Sequence, residues 1–528
     1  MDRKRIFSQF LILSILVIIL LPIRVFAENS INAKRFLFQS TFGEKQQKIS
    51  ELEEIGVDEW FQRQYNSPIT SHIELYDYYF SKLSSADKPY SRNQAWLHAT
   101  LNRQDQLRQR MAFALSQIFV VSRQHDVLSD HERALASYYD LLSKHALGNY
   151  RELLIEVAKH PAMGRYLDMM FSQKAIPEES IKPNENFARE IMQLMTIGPV
   201  LLNMDGSTIK DNSGEPILAY DEQDVPEVAR ILSGWGMTDA SSWGVMDGDW
   251  FQPMTPSENY HDRESKYVLN THFPSGRSAQ QDLEQLVDTL LSHPNAAPFV
   301  SFRLIQRFTT SNPSPEYIER VANVFVDNGD GVTGDLYSVI QAILMDSENV
   351  EGRATKFKEP LIAVVNFIRI SRKEETASSP RDFYPSVSLA KYHDNWIQLP
   401  LNSATVFNFY QPTDAPKGII ADNGLYSPEQ TLMLGDNYKY VMDRMNGLIT
   451  NSNFDLNREY ECNGSWNRGT PTENDLKLAL QFLSTQAMSK EFYDGYHYLH
   501  NEYGHNPRAR CGSFKFFIAS SPEFWVIE

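Results

Sequence analysis

Apolar side chains recur every three to four residues through most of the chain, a period that belongs to amphipathic helices and constrains the fold more than any other feature. Leu107, Met111, Ala114, Leu115 and Ile118 fall on one helical face, and Tyr139, Leu142, Ala146, Leu153, Leu154 and Val157 continue the pattern. The same spacing predicts helices over Ala279 to Ser292, Ala296 to Thr309, Pro315 to Val326, Asp335 to Asp346, Glu359 to Arg369, Pro428 to Leu448 and Glu473 to Leu483. Ser314-Pro315 and Ser427-Pro428 place proline at a first helical position behind a capping serine. The expected fold is mainly α: one large multi-helix domain over 28–528, with an inserted β-hairpin and long irregular loops.

The hairpin is expected near 199–221. There Val200 to Asn203 and Pro216 to Tyr220 read as two short strands around polar, glycine-containing turns, and no internal repeat is apparent. A loop insertion is expected near 235–275, rich in Gly, Asp, Ser, Pro and aromatics without a sustained period. Loops of that length commonly cover or carry a site. Glu374 to Ser386 reads as a second, surface loop.

With 42% hydrophobic and 22% charged residues, 528 residues have ordinary globular composition, which excludes a disordered or collagen-like chain. A net charge of −17 repels phosphate backbones, so nucleic acid is not an expected partner.

Arg3-Lys4-Arg5, an apolar run from Phe10 to Leu21 broken only by Ser14, and the ending Val25-Phe26-Ala27 have the three parts of a secretory signal peptide. The run is shorter than the roughly 20 residues of a spanning helix, so residues 1–27 are expected to be cleaved. Loss of four basic side chains and one acidic one then takes the charge from −17 to −20. No later stretch is apolar enough to span a membrane, and the expected location is periplasmic or extracellular. In an exported protein the two cysteines, Cys462 and Cys511, are expected to pair, closing a loop worth roughly 4 kcal/mol in the chain-entropy model. Two separate buried thiols are the competing arrangement.

Two polar concentrations are candidates for chemistry. Behind Pro183, Asn184 can cap a helix whose apolar side runs through Phe187, Ile191, Leu194 and Met195. Glu185, Asn186, Arg189, Glu190 and Gln193 share the other side. Glu185 and Arg189 stand four apart, as do Asn186 and Glu190, so carboxylate, amide and guanidinium come within reach of one another. Such a face can bind a polyhydroxylated ligand or place Glu185 or Glu190 for acid–base work; equally, it can be a capped helix with an ordinary ion pair. Glycoside hydrolysis needs a second carboxylate, for which Asp140 and Asp262 are candidates.

The other concentration is Tyr260-His261-Asp262 with Lys266 and His272, where a histidine beside an aspartate can be an oriented base, a metal ligand or a hydrogen-bonded surface group. Nearby Trp235, Trp243, Trp250 and Phe251 offer rings for stacking on sugar or for packing the loop.

Other motifs fail their templates. His497 and His500 stand three apart without an HExxH glutamate, and Asp327 to Asp335 has calcium-loop composition at the wrong spacing, so a turn between helices is expected there. No phosphate loop, dinucleotide fingerprint or nucleophile elbow occurs, and neither a metal nor a cofactor is named by any motif.

Several segments together resemble the bacterial domain-of-unknown-function 1800 family. They are Phe36 to Gly43, Leu107 to Gln117, Asn184 to Glu190, His293 to Phe299, Ser403 to Pro412 and Ser521 to Phe524, in the family's order. The resemblance implies an exported, mainly helical bacterial protein, often encoded beside a member of the domain-of-unknown-function 1501 family, an exported companion it could dock. It carries no activity. The functional expectation is an exported factor that binds or processes an extracellular or cell-envelope polysaccharide. The alternatives are a noncatalytic scaffold docking another exported protein, and a metal-dependent hydrolase.

Overall fold

The helical period is realised almost where the sequence places it. A computed structural model describes residues 31–371, 397–450, 480, 482–483, 489–502 and 507–527. Helices run over Ala279–Ser292, Ala296–Phe308, Pro315–Val326, Leu336–Met345 and Pro360–Ser371, each within two residues of its expected bounds at either end. Ser314 caps its helix by accepting from Tyr317 N–H, with Pro315 at the first position. Ser427 precedes Pro428 without a side-chain cap bond. The long helix expected from Pro428 to Leu448 is instead two, Pro428–Thr431 and Asp436–Thr450, separated at Gly435, which has φ of +60°. A backbone turn at a residue free to adopt positive φ interrupts an otherwise continuous pattern. The leader, Cys462, the side chain of Cys511, the Glu374 to Ser386 loop and most of the Glu473 to Leu483 helix lie outside the described residues.

The centre of the fold is the helix Gln106–Ser116, every residue of which is buried. Its Arg108, Gln109 and Arg110 therefore need partners inside the protein. Arg108 donates to Ser143 O at 3.1 Å, Gln109 bonds to Asp105 and His72, and Arg110 donates to Arg307 O. Against this helix packs Glu132–His145, which also carries His72–Lys82 and Tyr150–Lys159. Ala33–Ser40 is buried throughout, with Phe36 edge-on to Trp60 and Phe61 at ring distances of 5.0 and 5.5 Å. The C-terminal strand Val526–Ile527 returns to pair antiparallel with Lys356–Phe357, so both ends of the span from Ala33 tie into one compact unit.

The segment expected as a hairpin is more closed than a hairpin. Leu201 N–H donates to Ile217 O, Ile217 N–H to Ile209 O, and Ile209 N–H to Leu201 O, at 2.8 to 3.0 Å, completing a three-sided coil. Val200 and Leu218 do bridge as expected, but a third segment at 208–210 pairs with both neighbours. Leu201, Ile209 and Ile217 stand eight residues apart, and Gly206 and Gly214 take positive φ at its corners. This short repeat is absent from the expectation because three turns are too few to show a period beside helices. Buried Asn295 latches the coil, accepting from Leu202 N–H and donating to Ile197 O and Val200 O.

The loop insertion contains two minimal antiparallel pairs, Trp235–Gly236 with Thr255–Pro256 and Lys266–Val268 with Thr271–Phe273. The Asp327 segment is the expected turn, its carboxylate accepting from Gly329 and Gly331 N–H.

Candidate functional site

The polar helix begins one residue later than expected, as Asn186–Gln193, with Phe187, Ala188, Ile191 and Met192 buried beneath it. Asn184 still serves its start: its Oδ1 accepts from Asn186 N–H at 2.9 Å while its own N–H donates to Ser172 Oγ. Glu185 and Arg189 form an exposed pair at 3.6 Å, and Arg189 also approaches Glu222 at 4.0 Å. Glu185 is thus an ordinary surface ion-pair member, and the expectation of it as a catalytic carboxylate gains nothing from its surroundings.

Glu190 differs. Its Oε2 is buried with no hydrogen-bond partner, and burial pushes its carboxyl above the usual glutamate range, with Arg189 opposing the shift. Asn186, one turn earlier, donates to Asp168 Oδ2 at 2.8 Å, and Arg165 pairs with Asp168 Oδ1 at 3.0 Å. Asp168 sits at φ of +57°, a left-handed conformation that a non-glycine residue holds only when its surroundings demand it. Tyr166 lies beside Glu190 and bonds to Ser403. Burial pushes its phenol up to about 12. The ring of His125 lies 6.1 Å from that of Tyr166, and burial together with Arg165 holds its imidazole below the usual range. The face therefore joins Glu190 and Asn186 to His125, Arg165, Tyr166 and Asp168. None of these last four stood out in the sequence. Their separation along the chain hides the grouping, and a left-handed Asp168 has no composition signal.

Segment 397–412 connects this face to a buried charged interior. Ser122 Oγ donates to Ser403 O, Gln117 donates to Glu359, and Tyr410 receives a bond from Arg307. Nitrogens of Arg110 and Arg307 and Oε1 of Glu359 are buried there without partners. Arg110 was legible only as a charge set between Leu107 and Met111 on an apolar helix.

The loop candidates are used by the fold itself. Asp262 takes a two-pronged contact from Arg230 at 2.8 and 3.2 Å. His261 and Lys266 instead meet Asp282, at 3.3 and 2.7 Å, and Arg277 reaches the other oxygen of Asp282 at 2.6 Å. His261 Nδ1 bonds to Ser233 O, and a side chain at Gly234, where φ is +88°, would collide with His261 at 2.7 Å. His261 and Asp262 thus face separate partners rather than one site. Asp140 accepts from Ser71 Oγ and from the N–H groups of His72 and Ile73, capping the helix His72–Lys82. Of the aromatics, Trp243 stacks on Tyr260 at 3.9 Å and Trp250 on His131 at 4.0 Å, which packs the loop. His497 lies against Tyr493, and the side chain of His500 is outside the described residues. Among the described residues no group of three His, Cys, Asp or Glu side chains is arranged to hold a metal, and no helix is long and apolar enough to cross a membrane.

No curated protein and no solved structure matches the chain. A family model described as "Protein of unknown function (DUF1800)" matches residues 35–526, nearly the whole chain, which therefore belongs to the domain-of-unknown-function 1800 family.

Proposed function

We propose that the chain is an exported factor that binds a polyhydroxylated ligand of an extracellular or cell-envelope polysaccharide on the Asp168–Glu190 face, with Glu190 as a proton donor. The observation that carries this reading is Glu190: a half-buried carboxyl, raised above its ordinary range, with one oxygen left unbonded by the fold. A carboxyl whose burial favours its protonated form is suited to protonating a leaving oxygen. Asp168, fixed by Arg165 and Asn186, supplies rigid acceptor oxygens for hydroxyl groups. The signal-like leader supports export, and the net charge of −17 argues against anionic polymers as ligands.

A second reading, a scaffold that docks another exported protein such as a domain-of-unknown-function 1501 companion, is favoured by exposed apolar side chains near one another in sequence. Ile419 is 83% exposed, followed by Leu425, Leu434 and Tyr438. Thermal-shift measurements against neutral polysaccharides and their oligosaccharides separate the two. The binding reading expects a shift for one ligand class that Glu190→Gln and Asp168→Asn abolish and Glu185→Gln preserves. No shift across the panel, with all variants folded, overturns it and leaves the scaffold.

A further inference from the structure

The Glu190 face is open, and two segments carry it on to aromatic rings. Asn184 and Asn186 are exposed, and the Asp168 side chain keeps 38% of its surface. At the first turn of the helix Asn186–Gln193, segment 168–174 is fixed from two sides. On one, Asp168 Oδ2 accepts from Asn186 and Ser172 Oγ from Asn184 N–H. On the other, Phe171 N–H donates to Trp235 O and Lys174 N–H to Tyr260 O, both at 2.7 Å. Phe171 is part-exposed, its ring edge-to-face with Trp243 at 5.3 Å.

One helical turn on from Asn186, Glu190 has Tyr166 beside it, and Tyr166 bonds to Ser403. Ser403 is anchored by Ser122 Oγ on its carbonyl, and Arg123 N–H holds Leu401 O at 2.9 Å. Four residues past Ser403, Phe407 is 42% exposed. It sits in a closed turn, where its own N–H donates to Thr405 Oγ1 and Asn408 N–H to Thr405 O. The preceding Ala404 and Thr405 are small and exposed as well. The contacts therefore run in one order, from Phe171 through Asp168, Asn186 and Glu190 to Tyr166, Ser403 and Phe407.

Backbone strain gathers on the same two segments. Among the described residues eight non-glycine residues take positive φ, and four of them are Asp168 at +57°, Phe171 at +62°, Leu401 at +54° and Asn408 at +70°. Such conformations persist only where the surroundings over-determine them, and they collect at ligand sites. An exposed ring offers a flat apolar area that matches the C–H face of a pyranose. Two rings with an accessible carboxylate between them, on an open surface, match several consecutive sugar units better than a single one.

We propose that this face, read as a polysaccharide site, recognises a stretch of several units of an uncharged glycan. Phe171 and Phe407 stack on sugar rings at the two ends of the stretch, and Asp168 accepts from hydroxyl groups between them. The inference rests on the reading of the Glu190 face given above.

Titration calorimetry of the full chain with cello-, malto- and chito-oligosaccharides of one to six residues tests it. The class that binds is expected to gain at least tenfold in affinity between the monosaccharide and the hexasaccharide. Phe407→Ala is expected to weaken the hexasaccharide at least fivefold and Phe407→Trp to keep it within twofold. Phe171→Ala is expected to cost at least threefold; should that variant fail to fold, the exposed Phe407 decides. Tyr78→Ala, which removes a comparably exposed ring from the helix His72–Lys82, is expected to change nothing. Equal affinity for monosaccharide and hexasaccharide, or undiminished hexasaccharide binding in folded Phe407→Ala, overturns the proposal and leaves the Glu190 reading, which Glu190→Gln tests by itself. Absence of binding by all three series overturns the proposal too, together with the Glu190 reading where the polysaccharide panel is also silent.

Discussion

The cluster around Asp282 and the face around Glu190 are made of the same kinds of side chain, and both contain residues that stand out as chemical candidates in the sequence. In the first, a fully buried carboxylate meets His261, Lys266 and Arg277. Burial opposes its charge, yet these partners outweigh burial and hold it below the ordinary aspartate range. In the second, Glu190 has Arg189 nearby, but burial dominates and one oxygen stays unbonded. The difference teaches that residue type alone does not say how a carboxylate is used: partners hold Asp282 charged, whereas burial dominates at Glu190. Both oxygens of Asp282 are met by cationic side chains, whereas Glu190 keeps one oxygen unbonded.

The comparison breaks most readily at Asp282. Asp282→Asn leaves Lys266 buried without an anion and is expected to cost about 3–5 kcal/mol in urea unfolding. A loss under about 1 kcal/mol would show that the cluster does not hold the loop. Next, Asp262→Asn removes the charge that Arg230 grips and is expected to cost about 1–3 kcal/mol at pH 7. Its carboxyl is held below 3.8 in the fold, because Arg230 and Glu264 N–H outweigh burial. The stability it contributes is therefore present above pH 3.8 and lost as pH falls further. Acid unfolding of Asp262→Asn should be correspondingly less steep, and an unchanged acid limb would contradict the assignment.

Glu190→Gln sharpens the other side. It is expected to change stability by less than about 1 kcal/mol, because no hydrogen bond to Oε2 is lost. The sign with pH is opposite to that of Asp262: a carboxyl raised above 4.5 in the fold makes the wild-type chain less stable as pH climbs past 4.5. The Gln variant lacks that decline, which unfolding at pH 4 and pH 7 compares directly. Smallest is Glu185→Gln, within about 0.5 kcal/mol, since an exposed pair at 3.6 Å contributes little and is screened by salt.

Much of the architecture was legible locally. A helix depends on neighbours three and four residues away, so the helices from Ala279 to Met345 appear nearly at their expected bounds, and Ser314-Pro315 caps as its chemistry requires. The three-sided coil was half legible: the Val200–Leu218 bridge was, the intervening segment was not, because its cyclic bonds join three turns that each look like a loop. For the candidate site, the polar face of Asn186–Gln193 was visible, while the rank of its two carboxylates was not. Asp168 belongs to the face through Asn186, and nothing in its neighbourhood along the chain foretells that contact.

The sequence by itself determined the helices from Ala279 to Ser371, the Ser314 cap and the family, because each rests on patterns within one stretch or on the order of such stretches. Only the tertiary structure decided which charges are spent on one another. Lys266 and Asp282 are sixteen residues apart, and Arg230 and Asp262 thirty-two. Electrostatic and hydrogen-bonding energies fall off over a few ångströms in space, without regard to separation along the chain, so the fold alone sets whether a carboxylate is held fast or left available.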